Sequence, residues 1–175
     1  MRLIALFICL SASSVEGVEL SLEAGAGDWF GDETRSSFSY GGGILFKPGP
    51  SYLEFSATYD RSPINLKFAD KLGPALKGDS LDHWRFAVAF PTELVTYGRK
   101  GYFFPSFSYV LVSNDGALSH GFGIGGGLGI PLIQDILGIR FEAISQMYRI
   151  PKPTGGSTAL QSDFFLNLRF VLNII

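Results

Sequence analysis

The chain has 175 residues, which suits one domain, and its 14 basic against 16 acidic residues supply no positive field of the kind a nucleic-acid binder needs. Apolar residues make up 46% and charged residues only 17%, which excludes a disordered tail and an ordinary charge-rich soluble surface. The 22 glycines beside 16 phenylalanines argue against helices, which tolerate glycine poorly, and for twisted sheets with crowded interiors.

In chain order, the first element reads as an export signal over residues 1–17. Arg2 supplies the positive start, Leu3 to Leu10 the apolar run, and Ser11, Ala12, Ser13 and Ser14 the small residues before cleavage. Cleavage after Ser14 or after Gly17 fits equally. The only cysteine, Cys9, lies inside the apolar run, so the exported chain has no disulfide framework or thiolate metal site. No later stretch approaches the ~20 apolar residues of a membrane-spanning helix, and no cofactor or metal is expected.

Residues 18–175 are expected to form one barrel domain. Period-2 segments bounded by turn residues predict eight strands at 18–28, 37–46, 51–60, 82–91, 102–112, 119–130, 136–147 and 160–172. Each is near the ~9–11 residues with which a tilted strand crosses a bilayer. One face of each is apolar: Val18, Leu20 and Leu22 in the first strand, Leu53, Phe55, Ala57 and Tyr59 in the third, and Trp84, Phe86, Val88 and Phe90 in the fourth. Leu137, Ile139, Phe141, Ala143 and Met147 continue the pattern in the seventh, and Phe164, Leu166, Leu168, Phe170 and Leu172 in the eighth. The second and fifth are less regular, because Leu45 breaks the alternation in one and Pro105 with several aromatics blurs the other.

The opposite face consists mainly of Gly, Ala and Ser with a few charges. That is a poor water-exposed surface and a good lining for a narrow lumen. The pattern therefore predicts an eight-stranded antiparallel up-and-down transmembrane β-barrel. The lumenal charges are Glu19, Glu23, Glu54, Glu142, Arg85, Arg140 and Arg169. In a narrow interior they are expected to pair, since isolated buried charges cost too much. They form either a gated ion path or a packed polar plug, and eight strands leave an interior just wide enough for side chains.

The connections alternate in length. Lys47 to Pro50, Thr92 to Gly101 and Pro131 to Asp135 read as short periplasmic turns; residues 29–36, 61–81, 113–118 and 148–159 read as the longer extracellular loops. Trp29, Tyr40, Tyr59, Trp84, Tyr109 and Tyr148 would form the outer aromatic girdle, and Phe46, Tyr52, Phe90 and Phe103 the inner one. The longest loop carries Arg61, Lys67, Lys71 and Lys77 among apolar residues, either as a surface for phosphorylated lipid headgroups or a partner protein, or as an ordinary solvated loop.

The run Gly121-Phe-Gly-Ile-Gly-Gly-Gly-Leu-Gly129, the turn Pro131 to Asp135 and Ile139-Arg-Phe-Glu142 give the chain a texture that resembles the small eight-stranded outer-membrane barrels of the OmpA/OmpX type. The end Asn173-Ile-Ile175 departs from the terminal Phe such barrels carry. The resemblance implies an outer-membrane protein with a structural, adhesion or loop-mediated binding role at the cell envelope. Its partners would be outer-membrane lipid or lipopolysaccharide and the barrel-assembly machinery, with no nucleic acid among them.

Three enzyme- or ligand-like patterns weigh little against this. Gly121-x-Gly123-x-x-Gly126 lacks the following helix that a dinucleotide site needs and lies on a strand. Gly27-Asp28-Trp29 matches three letters of soluble lipocalin carriers but follows a strand instead of opening the first one. Lipid A-modifying barrel enzymes use Ser, His and an acid near the outer rim, and Ser113, Asp115, Ser119 and His120 cluster there. Yet Leu111 stands where the deacylase His-x-Ser-Asn motif has its histidine, and Ile144 to Met147 also lacks one. With His83 and His120 the only histidines, no enzyme is expected.

Overall fold

Alternating large apolar and small polar residues give an extended backbone two unlike faces. The computed structural model describes residues 18–31, 37–48, 53–63, 80–96, 99–114, 116–133, 136–151 and 157–174, almost wholly in strands. These are β1 (Val18–Gly31), β2 (Ser37–Pro48), β3 (Glu54–Pro63), β4 (Ser80–Ala89), β5 (Thr92–Thr96), β6 (Arg99–Asn114), β7 (Ala117–Ile133), β8 (Leu137–Pro151) and β9 (Ser157–Asn173). All pairings are antiparallel. β4, β3, β2, β1, β9, β8, β7 and β6 lie side by side in that order, and β4 pairs with β6 to close the ring. No helix long and apolar enough to cross a membrane occurs among the described residues; the strands are the crossing elements.

Nine segments make eight staves because β5 is the continuation of β4. Ala89 faces Ser106 and Thr92 faces Phe103, so the register against β6 runs unbroken through the gap. Phe90 N–H donates to the Pro105 carbonyl (3.0 Å) there, whereas Pro91 has no N–H to give and interrupts the ladder. The predicted turn from Thr92 to Gly101 is therefore wrong: the hairpin continues to the Thr96–Arg99 pair. The strands are also longer than predicted at the other end. β6 reaches Asn114 and β7 starts at Ala117, so the predicted loop 113–118 shrinks to residues 115–116, with Gly116 at φ +81° where only glycine is unstrained. Residues 64–79 remain the longest connection, as expected of the extracellular end. Residues 1–17, read above as an export signal, and Lys67, Lys71 and Lys77 lie outside the described residues.

The two faces separate as the alternation requires. Phe122 (68% exposed), Ile124, Phe141, Phe86, Leu168 and Phe170 stand on the outer wall, while Phe104, Val110, Arg140 and Arg169 are buried inside. A continuous apolar outer wall of this extent is favourable only against hydrocarbon. Leu45, which breaks the alternation of β2, is buried on the lumenal side. Tyr148 corrects the girdle reading: it is wholly buried in the lumen, in phase with Gln146 and not with the outward Met147. Tyr40, Trp84, Tyr109, Phe90 and Phe103 are exposed on the outer wall as girdle residues should be.

The glycines of β7 have a packing cause. A Cβ on Gly127 would lie 2.6 Å from Phe104 Cζ, and one on Gly129 would run into the ring of Tyr102. The bare backbone of β7 thus lets two β6 aromatics fold into the lumen (ring centroids 5.8 Å apart). They form the floor on which the charged residues rest.

Candidate functional site

The chemistry of the described residues concentrates in the lumen, where β3, β4, β8 and β9 present ionisable side chains at alternate positions. Arg140 Nη1 donates to Glu54 Oε1 (2.6 Å). Its guanidinium lies over the Phe104 ring, 3.9 Å from the centroid, so that the floor made possible by the β7 glycines holds the cation from below. Arg85 Nη2 donates to Glu142 Oε2 (2.9 Å), and Arg169 Nε reaches the same oxygen (3.3 Å). Arg169 Nη2 also donates to both oxygens of Asp60 (2.8 and 2.6 Å). Arg140 completes the circuit at 3.6 Å from Glu142 Oε1.

Glu142 is the hub: three arginines from three strands converge on one carboxylate. Three cations face the three carboxylates Glu54, Asp60 and Glu142, so the described cluster is neutral, as buried charges must be. The sequence-predicted Glu54, Arg85, Arg140, Glu142 and Arg169 come together here. Glu19 and Glu23 lie on β1, but their side chains fall outside the described residues. Asp60 was missed. It is in phase with Glu54 and Thr58 on β3, and that phase was the signal that could have found it.

Beyond the charges, toward the end that bears residues 64–79, the lumen holds an apolar cluster beside the buried polar side chains Ser62, His83, Asn114, Gln146 and Asp163. Leu81, Val110, Val112, Ile144, Tyr148 and Phe165 form one buried cluster. His83 packs edge-on against Tyr148 and Phe165 (5.5 and 5.4 Å between centroids), and the Tyr148 hydroxyl donates to Asp163 Oδ2. The ion pairs are thus enclosed between an aromatic floor and a buried upper layer of mixed character, where electrostatic attraction is little screened. Small residues and charges were expected throughout the lumen; the aliphatic half was not. Leu81, Val110, Val112 and Tyr148 come from stretches read as loop or as irregular strand, whereas Ile144 and Phe165 sit on the inward phase of the regular strands β8 and β9.

The rim residues are arranged differently. Arg61 is on the outer wall, half-exposed, with Nε donating to Ser80 Oγ (2.9 Å) and 3.5 Å from Asp82 Oδ1. His120 is exposed on the outer wall, its Nδ1 hydrogen-bonded to the Tyr109 hydroxyl. Ser119, its neighbour, takes the opposite face by alternation, and His83 is in the lumen. The two histidines are therefore separated by the barrel wall. No group of three His, Cys, Asp or Glu side chains that could hold a metal occurs among the described residues.

No protein-family model matches this chain and no curated protein sequence matches it. Solved structures do. Neisserial surface protein A aligns over 91% of this chain and 98% of its own, at 13% identity and a TM-score of 0.54. The N-terminal β-barrel domain of Pseudomonas aeruginosa OprF aligns over 89% and 97%, at 12% identity and a TM-score of 0.54. Each match spans nearly the whole barrel on both sides, so the chain shares the fold of small outer-membrane β-barrels.

Proposed function

We propose that this outer-membrane β-barrel is a non-enzymatic envelope protein whose lumen is closed by paired charges and whose structural, adhesive or binding role is carried at its extracellular end. One observation supports the closed lumen above all others: Glu142 is held by Arg85, Arg140 and Arg169 between the Tyr102–Phe104 floor and the Leu81–Phe165 cluster. A conducting path would have to break those pairs and open the buried cluster beyond them. The connection 64–79, with Lys67, Lys71 and Lys77, together with Arg61, which lies at the end of β3 and not in the loop the sequence predicts, is the better place for a partner, since loops on rigid scaffolds carry recognition. Outer-membrane lipid or lipopolysaccharide and the barrel-assembly machinery are its partners in this reading. That the neisserial neighbour is a surface protein agrees with this reading.

The experiment that separates this reading from a lipid A-modifying enzyme uses His120. A Ser–His mechanism loses several orders of magnitude in rate when its general base is replaced. Exposed hydrogen bonds such as that to Tyr109 contribute only ~1 kcal/mol. Lipid A acylation, read by mass spectrometry in cells carrying the wild type, His120→Ala or a deletion within 64–79, should be the same in all three. A change in acylation that requires His120 would establish the enzyme instead.

A further inference from the structure

The outer wall of β2, β3 and β4 stacks four tiers of residues in register. From the extracellular rim downward they are Tyr40–Arg61–Asp82, Gly42–Tyr59–Trp84, Ile44–Ala57–Phe86 and Phe46–Phe55–Val88. The lower two tiers line an apolar groove of about 480 Å³, a volume in the ~300–1,000 Å³ range of small-molecule sites. Its depth comes from Ala57, the small residue between Ile44 and Phe86. The upper two tiers are polar and aromatic. Tyr59 packs on Trp84 at 4.8 Å and donates its hydroxyl to Asp82 (2.7 Å).

We infer that this strip seats one phosphate-bearing lipid of the outer leaflet, with its phosphate at Arg61 and one acyl chain in the groove. The groove opens into hydrocarbon, so its occupant is a lipid chain and not water. A cation stands two tiers above it, at the level where a headgroup begins. Among the described residues the contacts of Arg61 run through Nε alone, which leaves both terminal nitrogens of the fork for a phosphate. Asp82 is shared with the Tyr59 hydroxyl and fixes the stem of Arg61. Tyr59 and Trp84 occupy the interfacial level that amphipathic rings prefer. The inference rests on the lipid-partner reading of the proposed function, with which it shares Arg61, but its groove residues Ile44, Phe46, Phe55, Ala57, Phe86 and Val88 are on the strands and outside the 64–79 connection, so Ala57→Phe tests the seat separately from that connection.

The test uses the full barrel purified in a neutral detergent, with bisphosphorylated lipid A and its dephosphorylated form as probes. Bound lipid is counted by native mass spectrometry, and folding of each variant is checked by its heat-dependent gel shift. The wild type should hold one lipid A per chain and prefer it over the dephosphorylated form. Arg61→Gln should weaken lipid A binding about tenfold, the scale of one charged hydrogen bond, and remove the preference. Ala57→Phe, which fills the groove, should weaken both probes by a similar factor. Undiminished binding in both variants, or an effect of Arg61→Gln with none of Ala57→Phe, would overturn the seat. So would a dimer of the wild type that Ala57→Phe dissolves, because the groove would then belong to a second copy.

Discussion

Replacing Arg140 by Met should destabilise the barrel by about 3–5 kcal/mol, because it leaves Glu54 buried without its cation. The side chains concerned are 2% and 11% exposed, so water cannot take over the role. The double change Arg140→Met with Glu54→Leu should be far milder, since a buried pair exchanged for apolar groups of similar size is often neutral or stabilising. The sequence alone suggests Glu142 as the partner to remove, but at 3.6 Å it is the looser contact of Arg140 and the main acceptor of Arg85. Arg140→Met with Glu142→Leu should therefore remain severely destabilised. Urea midpoints of the refolded variants check the order; equal losses for the single and the Glu54 double variant would show that the pair does not act as a unit.

Phe86→Arg should block assembly into membranes, because a charge at mid-depth on the lipid face costs about 2–4 kcal/mol. Ala87→Ser, one residue along and turned to the lumen, should assemble normally. Phe86 is 46% exposed on the outer wall, and alternation gives Ala87 the opposite face. The fraction recovered from the membrane with a heat-dependent gel shift is the readout. Equal assembly of the two variants would contradict the assigned polarity of the wall.

Most of the fold was legible in the sequence because the side-chain period of a strand is two, and one wall must be apolar throughout. The phases of β4, β8 and β9 placed Arg85, Arg140, Glu142 and Arg169 inside without further information. What the pattern could not give was where strands end. A strand continues past Pro91 because its partner β6 keeps the register and the gap is bridged by Phe90, a non-local fact. The short β6–β7 connection differs from the predicted 113–118 loop because Ser113 and Asn114 read as loop residues, whereas at the end of a barrel polar residues still sit in the ladder. The same cause hid the upper lumen: Tyr148 was placed by its liking for an interface, when its phase with Gln146 and Glu142 already turned it inward. Asp60 shares the polar face of its strand with Glu54 but is absent from the predicted charge set, although Arg169, its partner from the far end of the chain, is in that set.

The central claim, a membrane-spanning barrel closed by its own ion pairs, is tested most directly by ion conductance across a planar bilayer. The wild type is reconstituted at a density verified by its heat-dependent gel shift. The account predicts no step currents, because in the proposed plug Glu142 and its three arginines close the section between the aromatic floor and the upper buried cluster. Steady single-channel steps from the wild type would contradict it.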